Sequence, residues 1–268
     1  MQVVICALAK NENLYINEWV SHYVKLGFDK IHLYDNNELD TPFVMDFIDK
    51  EYHDFIEYHD IRGVHKHELQ HEIYTNFYNT YKFNWVLYCD IDEFLVGVDD
   101  IHKWLCKFPN AMQIRVKWRL FGDDDMITRD MSVPVMQAFK NEITESWNRA
   151  LTKKCRLFNQ GKSFVRGGFY HIVVHSPHFA SIGFRNNIIP SVLPSGKPCN
   201  SRITIEEDYS QETVYLNHYM TKTLSEFIDQ KLKRTDAVFG DLSINFDYFW
   251  RINKKTPEKL KYIEEHCQ

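Results

Sequence analysis

Four short stretches of the sequence carry residues that can do chemistry. "DIDEF" (90–94) sets Asp90 and Asp92 two residues apart, directly after the apolar run "WVLYC". Strand side chains alternate with a period of two, so this spacing puts both carboxylates on one side of a continuing strand. Converging carboxylates repel, and a hard divalent cation relieves that repulsion. Carboxylate and phosphate oxygens together suit Mg2+ or Mn2+. "YDNNELD" (34–40) follows another apolar run; Asp35 can accept from a ribose hydroxyl or a base N–H, and Asn36 can donate or accept. "FGDDD" (121–125) places Asp123, Asp124 and Asp125 just beyond Trp118, whose ring can stack on a sugar face. "HELQH" (67–71) matches H-E-x-x-H, in which two histidines one helical turn apart hold zinc and the glutamate is a base. Each stretch has a plainer reading: solvated acidic loops, a turn built of good turn formers, and chance in a chain with 13 histidines.

The elements that must position these groups follow from hydrophobic periodicity. "VVICALA" (3–9) reads as a strand buried on both faces. Asn13 can cap a helix carrying Leu14, Ile16, Trp19, Val20, Tyr23, Val24 and Leu26, stopped by Gly27. A second strand is expected over 30–35, a helix opening at Thr41-Pro42 and a third strand near 55–59. A helix over 66–82 would turn Leu69, Ile73, Phe77 and Tyr81 to the core. One strand is expected to span 84–97 and another 112–118.

This alternation predicts an α/β fold with a mostly parallel central sheet flanked by helices. Ligands of such sheets bind outside the carboxyl ends of the strands, where the acid pair lies. Clusters of Gly, Pro and Asn near 161–200 make the second half less regular. A strand over 213–219 leads there to a helix opened by Thr223 with Glu226 as a capping box, and a last helix starts near Pro257. A single domain over 1–268 is expected, with a nucleotide-binding half (1–120) and an elaborated C-terminal half (121–268).

Composition narrows the function classes. The net charge of −5 argues against nucleic acid as a partner, which calls for a basic stripe. The six cysteines form no C-x-x-C pair, which argues against a zinc ribbon and a disulfide scaffold and fits reduced thiols in the cytoplasm. The first apolar run is seven residues with no basic leader, so a strand is expected rather than a signal peptide. No stretch reaches the roughly 18–20 apolar residues of a membrane span. A membrane-bound substrate would therefore be met from the cytoplasmic side, by peripheral contact.

The order of "ALAKNENLYINEWVSHYVKLGFDKIHLYDNNELD", "NWVLYCDIDEFL" and "VKWRLFGDDD" resembles bacterial glycosyltransferases related to families 2 and 92. The likeness continues through "KSFVRGGF", "SPHFA", "SGKPC" and "NHYMTKTLSEFIDQKLKR". It implies a GT-A (Rossmann-like) fold and an inverting, metal-dependent hexosyl transfer, of the kind used in surface-polysaccharide synthesis. The donor would be a nucleotide-diphosphate sugar, a UDP-sugar above all, and the acceptor a glycan or lipid-linked glycan.

By that resemblance Lys10, Asn11, Glu12, Asp35 and Asn36 line the nucleoside pocket, with Gln70 near the site. Asp90 and Asp92 form the D-x-D motif, and His218 completes a Mn2+ or Mg2+ site. Lys222, Lys231, Lys233 and Arg234 meet the diphosphate, although related chains read Lys-Arg-Gly where this one has Lys233-Arg234-Thr235. Asp123, then Asp124, is the expected catalytic base, and Trp118 and His178 are expected to contact the acceptor. The runner-up is a non-catalytic nucleotide- or glycan-binding module on the same fold. The zinc-protease reading of His67 and His71 stands last, because Tyr74 and Phe77 occupy the places of the Gly and third His in the extended metzincin pattern. Sugar, base, acceptor and oligomeric state stay open.

Overall fold

A computed structural model describes residues 1–66, 68–144, 157–182, 187–201, 204–232 and 244–267. The strands are β1 (Val3–Ala9), β2 (Lys30–Asp35), β3 (Ile56–Asp60), β4 (Trp85–Tyr88), β5 (Glu93–Val96), β6 (Gln113–Phe121), β7 (Gly161–Arg166), β8 (Ile172–Ser176), β9 (Phe179–Ile182), β10 (Asn187–Ile188), β11 (Ser191–Val192) and β12 (Tyr215–Tyr219). The helices are α1 (Ile16–Lys25), α2 (Leu69–Thr80), α3 (Ile101–Leu105), α4 (Val135–Ala138), α5 (Leu224–Gln230), α6 (Phe246–Phe249) and α7 (Pro257–His266).

The chain divides into two compact units. The first comprises Met1–Trp118 with Asn159–Leu216, and the second Arg119–Phe158 with Asn217–Gln268. In the first, strands run in the order β3-β2-β1-β4-β7-β6, with β11 beside β6. The pairings β1–β2, β2–β3, β1–β4 and β6–β11 are parallel, and β7 runs against its neighbours β4 and β6. The mostly parallel α/β sheet read from the sequence is thus present. A small antiparallel sheet, β10-β9-β8, belongs to the same unit.

β1 is almost wholly buried, as its unbroken apolar run requires. α1 buries Ile16, Trp19, Val20 and Tyr23 and ends with Gly27 at φ 92, a left-handed stop that glycine adopts without steric cost. On α2 the buried stripe is Tyr74, Phe77 and Tyr78, which pack with Val4, Val86 and Tyr88, while Ile73 and Tyr81 are only half-buried. The core face is therefore rotated from the expected one.

Two other expectations fail. After Pro42 the chain makes two 3₁₀ turns, Val44–Phe47 and Lys50–Phe55, instead of an α-helix. Asp35 captures the Val44 amide and Asn17 the Asp49 amide, pinning the segment to β2 at one point and to α1 at the other. Residues 84–97 form two strands, β4 and β5, with the acid pair in the turn between them.

In the second unit, Leu224, Phe227 and Phe249 form a core between α5 and α6. The Thr223 capping box is complete: its hydroxyl accepts from the Glu226 amide while the Glu226 carboxylate accepts from the Thr223 amide. Among the described residues no helix is long and apolar enough to cross a membrane.

Candidate functional site

The chain builds β1, β2 and β3 in one direction, then returns to lay β4 on the other side of β1. The strand order reverses between β1 and β4, and such a switch point opens a crevice beyond the carboxyl ends of the strands. Lys10-Asn11-Glu12 follow β1, Asn36 follows β2, and Asp90 and Asp92 follow β4. The first unit thus brings these sequence-assigned residues to one edge of three adjacent parallel strands.

The β1–β2 side of this edge is braced by amides. Asn11 adopts φ 57, and its N–H donates to Asn37 Oδ1 at 2.8 Å. Asn37, which the sequence reading passed over, is fully buried and also donates to Asn13 Oδ1. Asp35 is fully buried too. Its carboxylate accepts from the Asn37 and Val44 amides and from the Tyr58 hydroxyl, at 3.0–3.1 Å. Its oxygens are turned into the loop they organise. Asn36 donates to the Ile61 and Val64 carbonyls, Lys10 pairs with Glu38 at 3.2 Å, and Glu12 is buried with its carbonyl accepting from Tyr15.

On the β4 side the Glu93 amide donates to the Asp90 carbonyl at 3.2 Å, closing a tight turn. Buried Glu93 enforces it by accepting the Asp90 amide on Oε2. The Trp19 indole N–H is shared between the Asp90 and Glu93 carbonyls, each at 3.0 Å, so α1 clamps the same turn. Strand alternation therefore does not govern Asp90 and Asp92. Asp92 is buried. Asp90 is part-exposed, and its Oδ2 receives Lys162 Nζ at 2.6 Å while Gln70 Nε2 lies 3.4 Å from Oδ1.

Lys162 was missed in the sequence reading. Because β7 runs antiparallel, its first residues lie beside the carboxyl end of β4, which delivers this side chain to Asp90. Its ammonium group is 3.4 Å from Glu93 Oε1 and 5.5 Å from the centre of the Trp118 ring. Burial alone would lower the lysine pKa, but Asp90 and Glu93 together raise it, so Lys162 is charged. The sequence signal was a lysine second in the run "GKSFVR", whose first five residues are all buried.

Trp118 and His178 meet edge to face, with ring centres 5.3 Å apart, and Trp118 is buried. His178 Nδ1 lies 2.6 Å from the Gly161 carbonyl. A carbonyl only accepts, so Nδ1 carries the proton in the neutral ring and Nε2 the lone pair. Burial, then the Lys162 charge, pushes the His178 pKa down to about 3.

In the second unit Asp123, Asp124 and Asp125 open a turn closed by the Met126 amide on the Asp123 carbonyl. Asp124 and Asp125 take φ 48 and 61, the left-handed pair of a type I′ turn. Asp123 is buried, accepts the Asp125 amide and pairs with Lys259 Nζ of α7 at 2.5 Å. Burial raises the Asp123 pKa, and Lys259 works against that rise. Asp124 accepts the amides of Lys140 and Asn141. His218 is buried on β12, Lys222 is buried at φ 56 just before α5, and Lys231 donates to the Met220 carbonyl. Lys233 and Arg234 lie outside the described residues.

The zinc-protease geometry is not met. α2 begins at Leu69, and Glu68 stands ahead of it in a left-handed conformation at φ 63. The glutamate is therefore not on the helix that carries His71, and His67 lies outside the described residues.

Of the carboxylates proposed to hold Mg2+ or Mn2+, Asp92 has suitable chemistry: a buried carboxylate on the turn at the switch point. Asp90 Oδ2 does not fit as it stands, because a buried ammonium group already contacts it.

No family model and no curated protein sequence matches the chain. Among solved structures, residues 1–349 of TarS from S. aureus align with a TM-score of 0.39 and 12% identity, over 62% of this chain and 47% of that one. The alignment thus spans about half the length of that TarS fragment. TarS has been solved in complex with UDP and, at TM-score 0.36 and 13% identity over 60% of this chain and 49% of that chain, with UDP-GlcNAc. HddC from Yersinia pseudotuberculosis aligns at TM-score 0.37 and 10% identity, over 86% of this chain and 98% of that one. Likeness at these scores carries no functional argument, which rests instead on the geometry above.

Proposed function

We propose that the chain is a glycosyltransferase that takes a sugar from a nucleotide-diphosphate donor, a UDP-sugar in the first instance, to a glycan or lipid-linked glycan. The observation that carries this reading is the switch point between β1 and β4, edged by Lys10–Glu12, Asn36 and the Asp90–Asp92 turn. The crevice beyond such a switch point is where α/β sheets bind nucleotides. Cytoplasmic work, at the inner face of the membrane, and a role in surface polysaccharide belong to the same proposal.

In the inverting reaction the C1–O bond to the diphosphate breaks as the acceptor oxygen bonds to C1 from the opposite face. The acceptor proton passes to a base, and the nucleoside diphosphate leaves. Asp123 and Asp124 are the proposed bases. The burial that raises the Asp123 pKa strengthens it as a proton acceptor. A Mg2+ or Mn2+ ion held by Asp92, with His218 proposed as a second ligand, would offset the charge growing on the leaving diphosphate. Lys222 is proposed to meet the diphosphate, and Trp118 and His178 the acceptor.

Thermal shift with a panel of nucleoside diphosphates and UDP-sugars plus Mn2+ tests the reading. A rise in Tm with one nucleotide, lost in Asp92→Ala, is expected; no response to any nucleotide refutes it. Hydrolysis or transfer of the bound donor then separates an enzyme from a binding module.

A further inference from the structure

We propose that Lys162 is a resident cation of the Asp90–Glu93 turn, and that it withdraws Asp90 from divalent-metal binding, leaving Asp92 as the turn's metal ligand. The inference deepens the nucleotide-sugar reading, since it assigns different work to the two aspartates of the D-x-D motif.

The ammonium is built in. Lys162 side-chain exposure is 1%, and its Nζ lies 2.6 Å from Asp90 Oδ2 and 3.4 Å from Glu93 Oε1. Its strand cannot slide easily. At Gly161 a Cβ would lie 2.0 Å from the Val116 carbonyl oxygen, so β7 and β6 approach here as closely as backbone allows, and Val116 pairs with Lys162 in register. The Trp118 ring also lies against the ammonium, 5.5 Å from its centre, a favourable cation–π distance.

A Mg2+ ion binds carboxylate oxygen at about 2.1 Å. Ligated to Asp90 Oδ2, it would lie within roughly 5 Å of the lysine nitrogen, two like-charged ions sharing one oxygen. Lys162 would have to leave Asp90, and its neighbours are Glu93, Cys89 and Trp118 in a packed interior. The position that a bridging metal would take at Asp90 is thus already filled by a permanent single charge. Asp90 Oδ1 remains turned toward Gln70, which fixes the carboxylate's orientation.

The test measures Mn2+ binding to the full chain by the loss of the free-ion EPR signal, without nucleotide. In the wild type, Asp92→Asn is expected to weaken binding at least about tenfold, and Asp90→Asn to change it less than about twofold. Lys162→Gln is expected to raise affinity about tenfold or more, and the double variant Asp90→Asn/Lys162→Gln to lose that gain. Equal losses in Asp90→Asn and Asp92→Asn overturn the proposal, as does a folded Lys162→Gln protein with no gain.

If Lys162→Gln does not fold, reductive methylation of the wild type followed by peptide mass spectrometry decides the matter. Lys162 is expected to stay equally protected with and without millimolar Mn2+, against exposed Lys103 as the reactive control. Mn2+-induced labelling of Lys162 means that the metal displaces it, and overturns the proposal. Failure of every nucleotide to bind would defeat the glycosyltransferase reading and leave these results unaffected.

Discussion

Lys259→Met tests how the "GDDD" turn is held. Lys259 and Asp123 are both nearly inaccessible, and their charged atoms lie 2.5 Å apart. Removing one partner of a buried pair leaves the other charge uncompensated, at a cost of about 3–5 kcal/mol. Lys259 also reaches Asp125 and the Lys254 carbonyl, but Asp125 is exposed and can turn to water. A loss of about 3 kcal/mol at pH 7 is therefore expected, or a fall in Tm of roughly 6–12 °C at the 2–4 °C per kcal/mol typical of this size.

The pH dependence separates this mechanism from lost packing. Burial already raises the Asp123 pKa, and without Lys259 it rises further. A carboxyl that binds its proton more tightly when folded stabilises the fold at low pH. That contribution declines as pH rises from the unfolded value, roughly 3.9, through the folded one, by up to about 1.4 kcal/mol per unit. The variant's deficit should thus be small near pH 4 and full at pH 7. Urea unfolding at several pH values, followed by circular dichroism, measures it. Asp123→Asn/Lys259→Met should recover most of the loss and show a flat deficit across pH. A deficit in Lys259→Met that does not vary with pH, or a double variant no better than the single one, refutes the reasoning.

Acid should weaken the protein through two histidines. Burial, with His59 and Lys30 adding to it, pushes the His32 pKa down to about 4, and His178 is lowered to about 3. Both hold a proton less tightly folded than unfolded, so their stabilising effect is complete above pH 6.5 and lost as pH falls toward those values. His32→Phe, which keeps the ring contacts with Phe77 and Tyr81, should remove up to about 3 kcal/mol of that pH dependence in acid urea titrations; an unchanged slope counts against it. Gly161→Ala, whose Cβ would meet the Val116 carbonyl at 2.0 Å, should lose about 2 kcal/mol or more by urea unfolding; a neutral result would mean that the strands separate easily. Thr223→Ala removes the α5 cap and should cost about 1 kcal/mol in the same assay.

What was legible in the sequence is what neighbours in the chain decide. The Gly27 stop and the Thr223 capping box depend on residues within a turn of each other, and both are present as read. β1 and β2 were legible because strands buried on both faces leave unbroken apolar runs. The acid pair was found for the same reason, since it ends such a run. How its two members differ was hidden, because the partner of Asp90 arrives from 72 residues away on a strand that runs the opposite direction. The failed helix after Pro42 has a similar origin: Asp35 and Asn17, both already past in the chain, hold the Val44 and Asp49 amides, and no local pattern announces those contacts. In "DIDEF", "GDDD" and "YDNN" alike, the carboxylates were legible as chemistry and their occupants were not. Buried charge must be compensated, yet nothing local says whether lysine, backbone amide or metal supplies the compensation. Each acid is answered differently: Asp35 by amides and a phenol, Asp123 by Lys259, Asp90 by Lys162. Of the aspartates in the switch-point motifs, Asp92 is the one proposed to meet the cation that the substrate complex brings, and it is there that loss of a single carboxylate should be felt in binding more than in folding.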